Sequence, residues 1–428
     1  MSELLQQVRV LDPLSGTDRV ADVLIADGVI QAIEDKIYES SGDTAVRDCQ
    51  GLILGPGLVD LYSHSGEPGF EERETLISLS LAATAGGFTR LAILPDTKPA
   101  IDNSAMLASL QKLDALHSPA HLHTRTPTPL LYFWGALTHG VKGEEMTELA
   151  ELASAGVVGF ADGQPLSNLA LVRRLLEYLH PFGKPVALWA CDRSLSSNGV
   201  MREGTHSIIY GLPGIPSFAE TASLAALLEL VEAIGTSVHI MRVSTSKGVE
   251  LIQSAKARGL PVTASTTWMH LLLDTESVIS YNPSLRIEPP LGNPSDRVAL
   301  RRGVKEGILD AIACDHTPYT YEEKTVPFAA APPGAIGLEL ALPLLWENLV
   351  ETGEWSAIEL WRALSTQPAK CLGQVTGALA PQSPAEVTLF APQQTWTVEK
   401  LSLKSLSTNT PWLGQQLKGR VLQTWVSH

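Results

Sequence analysis

The sequence predicts an α/β fold: a parallel sheet, closed into a barrel, with both chain ends joined in one β unit. Three observations carry this. Between 56 and 374, short apolar runs rich in β-branched residues alternate with segments of helical period. Residues 1–55 read instead as short alternating strands. From about 375 that β texture returns. An open doubly wound sheet is the alternative for the middle of the chain, and the number of β-then-α units favours closure.

In order, Val8-Arg9-Val10-Leu11-Asp12, Val23-Leu24-Ile25-Ala26 and Val29-Ile30-Gln31-Ala32-Ile33 are strands separated by Gly16 and the Asp27-Gly28 turn. Gly51-Leu52-Ile53-Leu54 and a Pro56-Gly57 turn lead into the central region. Its strand candidates are Leu91-Ala92-Ile93-Leu94, Gly156-Val157-Val158-Gly159-Phe160, Val186-Ala187-Leu188-Trp189, Val238-His239-Ile240-Met241 and Ile312-Ala313-Cys314. Helical period marks 169–179, 219–233, 247–258 and 297–306. The Pro- and Ala-rich stretch 324–333 reads as a lid, either ordered or mobile. After the turn at 377–381, a strand is expected at 385–390 and a closing hairpin at 414–421. The predicted domains are therefore a composite of 1–55 with 375–428, and a unit at 56–374.

Composition narrows the function. With 428 residues the chain can bury a large core. A net charge of −15 disfavours nucleic acid and anionic lipid as partners. No apolar run reaches the roughly 18–20 residues of a membrane span, and the N-terminus lacks the basic n-region and apolar core of a secretory leader. Cys49, Cys191, Cys314 and Cys371 show no CxxC spacing. They predict buried thiols in a reducing, cytoplasmic setting, with no cysteine zinc cage. Neither a GxGxxG nor a Walker loop is present.

Several segments together resemble one family. They are Gly66-Glu67-Pro68-Gly69-Phe70-Glu71, Ala85-Gly86-Gly87-Phe88-Thr89, Gly214-Ile215-Pro216-Ser217-Phe218-Ala219-Glu220, Arg242-Val243-Ser244-Thr245, Pro289-Pro290-Leu291 and Asp315-His316-Thr317-Pro318-Tyr319. The chain is similar, over nearly its whole length, to dihydroorotases of the bacterial long-chain type in the amidohydrolase superfamily. The resemblance implies a (β/α)8 TIM-type barrel with a composite β-sandwich from both termini. It also implies hydrolysis, and reverse closure, of a cyclic amide in pyrimidine biosynthesis, with zinc held by histidines and carboxylates.

Placed on this sequence, the resemblance puts the first metal histidine pair at Tyr62 and His64, following Asp60-Leu61. It puts an acidic ligand at Asp162, two further histidines at Trp189 and Arg242, and the ligand and proton carrier at Asp315. Tyr62, Trp189 and Arg242 are thus degenerate metal positions. His64, Asp162 and Asp315 remain, and would hold a metal if one is retained. Indole offers no lone pair to a metal, and arginine brings a fixed positive charge. Arg242 is therefore expected to neutralise His64's neighbourhood, Asp162 and Asp315, with Tyr62 and Trp189 filling the emptied space. His239 is expected to point to the opposite face from Arg242 and to be packed or capping, and His270 and His316 to be structural.

The substrate-pocket positions have changed as well. Gly66 stands where the family's loop has the arginine that clamps a substrate carboxylate. Asp96 and Glu288 stand where asparagines are usual, and Tyr319 closes the Asp-His stretch. The expectation is a neutral or acidic mouth that repels anions. The functional expectation is a dihydroorotase-like pseudoenzyme without cofactor, an oligomer, with aspartate carbamoyltransferase as the partner to test. The alternatives are an active cyclic amidohydrolase with altered metal site and substrate, using zinc, and a small-molecule sensor.

Overall fold

A computed structural model describes residues 2–38, 44–116 and 128–427. The N-terminal strands are β1 (Ser2–Asp12), β2 (Thr17–Ala26), β3 (Val29–Glu34), β4 (Thr44–Asp48) and β5 (Ile53–Pro56). The barrel strands follow: β6 (Leu58–Ser63), β7 (Phe88–Ile93), β8 (Leu130–Gly135), β9 (Gly159–Phe160) and β10 (Val186–Trp189). A two-strand ribbon, β11 (Met201–Arg202) and β12 (Gly214–Ile215), interrupts them. Then come β13 (Val238–Met241), β14 (Val262–Thr267) and β15 (Ala311–Ala313), and finally β16 (Val387–Thr397) and β17 (Gln416–Trp425).

The eight barrel strands pair in parallel in the order β15-β14-β13-β10-β9-β8-β7-β6. Two bonds bridge the ends: the Cys314 amide donates to Asp60 Oδ1 at 2.6 Å, and the His64 amide to the His316 carbonyl at 2.8 Å. Asp60 is fully buried, and burial pushes its carboxyl up to about 7. Alternation along the strands sends Val59, Leu61, Ala92, Trp134, Ala187, Trp189, Met241 and Ala313 into one interior cluster. The β6–β7 register shifts between Asp60 and Ser63, and Tyr62 joins Leu61 in that cluster.

Both termini build one seven-stranded sheet, in which β16 and β17 continue the order through β5, β1, β2 and β3, and β4 pairs with β1. Its core includes Leu5, Val8, Val23, Ile30, Leu54, Val387 and Leu389. The sheet meets the barrel through Trp346, Trp361 and Phe390, whose ring centroids lie 5.5–6.5 Å apart. A Cβ at Gly55 would sit 2.2 Å from the Trp361 ring, so only glycine lets β5 lie that close. Among the described residues no helix is long and apolar enough to cross a membrane.

The helices expected at 169–179 and 219–233 are found at Leu169–Leu179 and Phe218–Ile234. Those expected at 247–258 and 297–306 are found at Ser246–Ala257 and Pro294–Lys305. Asn168 caps the first through its side chain, Thr245 the third, and Asn293 with Asp296 forms a capping box on the last.

Candidate active site at the barrel mouth

The C-terminal ends of the barrel strands surround a cavity of about 140 Å³. Of the site positions named from sequence, His64, Gly66, Asp96, Trp189, Arg242, Glu288, Asp315 and Tyr319 line it, and so do His270 and Cys314. Tyr62 lies beneath it and Asp162 lies outside it.

Arg242 is the centre. It follows β13 with φ of 55°, and its guanidinium is 4% exposed. Nε donates to Asp315 Oδ2 at 2.8 Å and Nη2 to Oδ1 at 2.6 Å. Nη1 donates to the Gly163 carbonyl at 2.8 Å, and Nη2 lies 3.2 Å from His64 Nε2. The Trp189 ring lies 5.0 Å and the Tyr62 ring 5.4 Å from its central carbon. Burial works against the Asp315 carboxylate, but Arg242 and His64 outweigh it and hold its pKa at about 2.

His64 Nδ1 pairs with Asp96 Oδ2 at 2.6 Å, and Nε2 lies 3.7 Å from Asp315 Oδ1. Burial opposes charge on this imidazole, yet Asp96 and Asp315 prevail and hold it up at about 9. A charged ring carries N–H on both nitrogens, so its 3.2 Å approach to Arg242 Nη2 is a repulsive contact that the Asp96 and Asp315 carboxylates offset.

Below Arg242 a polar ladder runs through the barrel. The Arg242 amide donates to Tyr62 Oη at 3.2 Å, and Oη lies 2.9 Å from Ser265 Oγ. Ser265 Oγ is 2.8 Å from His239 Nε2, whose Nδ1 reaches Thr263 Oγ1 at 2.9 Å. His239 therefore joins the hydrogen-bond network under Arg242, which corrects the expectation that it points away. The left-handed turn at Arg242 breaks strand alternation, so counting in twos from Arg242 fails. Burial lowers His239 to about 3, so it is a neutral, packed histidine.

Asp162 is a second correction. Its Oδ1 accepts from the Leu137 and Thr138 amides at 2.8 and 3.0 Å, and its Oδ2 from the Thr138 hydroxyl. Both oxygens brace the 137–138 turn, and the neighbouring Gly163 carbonyl reaches Arg242 instead. His316 is structural as expected, while His270 is held in hydrogen bonds and also lines the cavity. His316 Nδ1 accepts from the Gly337 amide at 3.2 Å and Nε2–H donates to buried Glu74 at 3.3 Å. His270 joins Thr267 and the Pro290 carbonyl, and burial lowers it to about 4.

Of the neutral or acidic mouth expected from sequence, the pairing of its acids favours the neutral form. Glu288 takes a fork from Arg193 at 2.7 and 3.1 Å. Asp96 is paired with His64. Arg73, unremarked in the sequence, lines the cavity, with its guanidinium 4.2 Å from the Phe70 ring and 4.8 Å from that of Tyr319. Its Nε donates to both Glu323 oxygens at 3.0 and 3.1 Å. Only a fold that brings 73 and 323 together makes that pair visible.

Gly66 is more than a lost arginine. A Cβ there would lie 2.3 Å from the Phe70 carbonyl and 2.4 Å from that of Glu74. The 66–74 loop has closed where a side chain would emerge. The loop at 324–333 is tied down at one end: Lys324 Nζ donates to the Pro283 and Pro332 carbonyls at 3.0 and 2.7 Å.

These residues do not fit a divalent cation. Arg242 is bonded to the retained acid and touches the retained histidine, so its charge fills the space between them. Trp189 offers an N–H and no lone pair. Burial pushes the Tyr62 phenol up, away from phenolate. Among the described residues no three His, Cys, Asp or Glu side chains are grouped to hold a metal.

A dihydro-orotase-like family model matches residues 51–248. A probable dihydroorotase-like protein of Synechocystis is 46% identical over 98% of both chains. A dihydroorotase of Pelobacter propionicus is 40% identical over 100% of this chain and 98% of its own. Among solved structures, the L-hydantoinase (dihydropyrimidinase) of Arthrobacter aurescens superposes with a TM-score of 0.84 at 20% identity, covering 99% of this chain and 96% of its own. That last likeness concerns the fold, a barrel with a sheet from both termini. With full-length relatives at this identity, and the 66–71 signature loop folded at the mouth of the expected barrel, the chain belongs to the dihydroorotase-like family of amidohydrolases.

Proposed function

We propose that this chain is a non-catalytic dihydroorotase homologue of pyrimidine biosynthesis, a subunit that assembles with aspartate carbamoyltransferase. The observation that carries the first half is the Arg242 guanidinium, bonded to Asp315 and the Gly163 carbonyl in the space the family gives to zinc. Closure of the loop on Gly66 adds to it, because the substrate's carboxylate has lost its clamp. The partner is proposed from the family alone, since aspartate carbamoyltransferase makes the preceding intermediate. A net charge of −15 suits a basic partner surface.

The rival reading is an active hydrolase of a cyclic amide with a rebuilt site. Retained Asp315 and relatives named dihydroorotase favour it. Metal analysis of the purified chain, beside an assay of dihydroorotate hydrolysis, decides between them. The expected result is neither stoichiometric zinc nor turnover. The triple variant Tyr62→His, Trp189→His, Arg242→His should gain bound zinc. Co-elution with aspartate carbamoyltransferase on a sizing column tests the partner, and separate elution at micromolar concentration would rule it out.

A further inference from the structure

β17 is the last strand of the seven-stranded sheet, with β16 on one side and no strand on the other. The outward N–H and C=O groups of residues 420–426 have no protein partner among the described residues. An edge of this kind is a template for another extended chain. This one runs along a groove of about 750 Å³, far larger than the cavity at the barrel mouth. Every residue from 420 to 426 lines that groove. Side chains alternate along a strand, so a groove over one face takes every second residue, and one that follows the edge takes them all.

The walls and charges of the groove limit what can enter. Leu81, Thr84 and Ala85 of the helix Leu76–Ala85 form one wall, and Thr424 Oγ1 donates to the Thr84 carbonyl there at 2.8 Å. Trp396 and Trp425 add apolar surface. Two cations line it: Arg420, whose guanidinium lies 5.0 Å from the Trp396 ring, and exposed Lys404. Neither has a carboxylate within ion-pair reach among the described residues, unlike Arg73, Arg193 and Arg242 at the barrel mouth. The acids of the groove are engaged. Glu3 accepts from Gln423 Nε2 at 3.2 Å, and Glu339 Oε1 from the Lys404 and Ser405 amides at 2.8 and 3.1 Å. Burial pushes Glu339 up to about 7, so it is only part-charged at neutral pH.

We propose that this groove takes a short, extended, acidic segment of another protein as an added strand beside β17, its backbone pairing with the edge and its carboxylates meeting Lys404 and Arg420. A run of about four to six residues fits, because the bulge at Leu422 interrupts longer pairing. A second copy of this chain does not fit. Its β17 carries Lys418 and Arg420 and no acid, so two such strands side by side would set like charges together. Each would also lie behind its own helical wall. The site is separate from the barrel mouth and does not depend on whether the chain is catalytic.

Fluorescence anisotropy of the full chain with a labelled, end-blocked peptide of alternating Glu and Val tests this. Binding is expected at sub-millimolar concentration. A Lys–Val peptide of the same length, and the Glu–Val peptide N-methylated along its backbone, should each bind at least about tenfold more weakly. Lys404→Gln combined with Arg420→Gln should weaken the Glu–Val peptide by about tenfold. Hydrogen exchange in the complex should slow at 420–426 and stay unchanged at Val29–Glu34, the opposite edge of the sheet. No binding at millimolar concentration overturns the proposal, and so does equal binding of the Lys–Val or the N-methylated peptide. Affinity unchanged in the folded double variant does the same, as does exchange unchanged at 420–426 in the complex. If the chain alone protects those amides more as its concentration rises, a second copy holds the edge and the acidic-segment assignment fails.

Discussion

Arg242 and Asp315 meet as a two-bond fork at the barrel mouth, at 2.8 and 2.6 Å, and both hold a left-handed backbone, with φ of 55° and 52°. Positive φ in a residue other than glycine costs on the order of 1–3 kcal/mol and persists only where the surroundings fix it. Here the surroundings are charges buried to 4% and 13% exposure. Removing one partner strands the other. Arg242→Met should therefore cost about 3–5 kcal/mol in urea unfolding. Pairing it with Asp315→Leu should return most of that loss. A double variant less stable than Arg242→Met would show that the pair is not the source.

The His64–Asp96 pair sets a pH dependence on the alkaline side. His64 is held at about 9 against an ordinary value of about 6.5. A raised value means the contribution is complete below about pH 6.5 and is lost as pH climbs through about 9. Asp315, held at about 2, has the opposite sign: its share is present above about pH 3.9 and lost as pH falls through about 2. Asp96→Asn should thus lower the melting temperature at pH 6 and do so much less at pH 10. An equal deficit at both pH values would mean that the pair's charge carries no stability.

Gly66 yields a prediction about reversal. Its missing Cβ would overlap two backbone carbonyls, which cannot move as a flexible side chain can. Gly66→Ala should cost about 1–3 kcal/mol by overpacking. Gly66→Arg should not gain orotate affinity, because the 66–74 loop leaves the guanidinium no exit. Calorimetry showing orotate binding to Gly66→Arg would indicate that the loop opens readily.

The barrel was legible from its apolar strands because those strands bury both faces. β14, with the sequence Val-Thr-Ala-Ser-Thr-Thr, carried no such run. Its Thr263 and Ser265 face a buried histidine, and polar atoms satisfied inside a barrel look like surface in a sequence. The site was legible wherever it depended on residue type, as at Trp189 and Arg242. It was not legible where pairing decided the outcome. Asp162 is an acid in the right stretch, yet the turn at 137–138 takes it. Glu288 and Asp96 read as repulsive until Arg193 and His64 are seen beside them.

Tyr62 separates a packing role from a vestigial ligand role. Its hydroxyl accepts the buried Arg242 amide at 3.2 Å and meets Ser265 at 2.9 Å, and burial keeps the phenol protonated. Tyr62→Phe preserves the ring against the guanidinium and removes only that oxygen. Ser265 keeps His239 as a partner, but the Arg242 N–H has no other partner among the described residues. An orphaned buried donor costs about 1–3 kcal/mol. Urea unfolding should register that loss, while bound metal, read by atomic emission on the same samples, should not change. A fall in bound metal on Tyr62→Phe would make the phenol a ligand after all, and would reopen the barrel mouth as a metal centre.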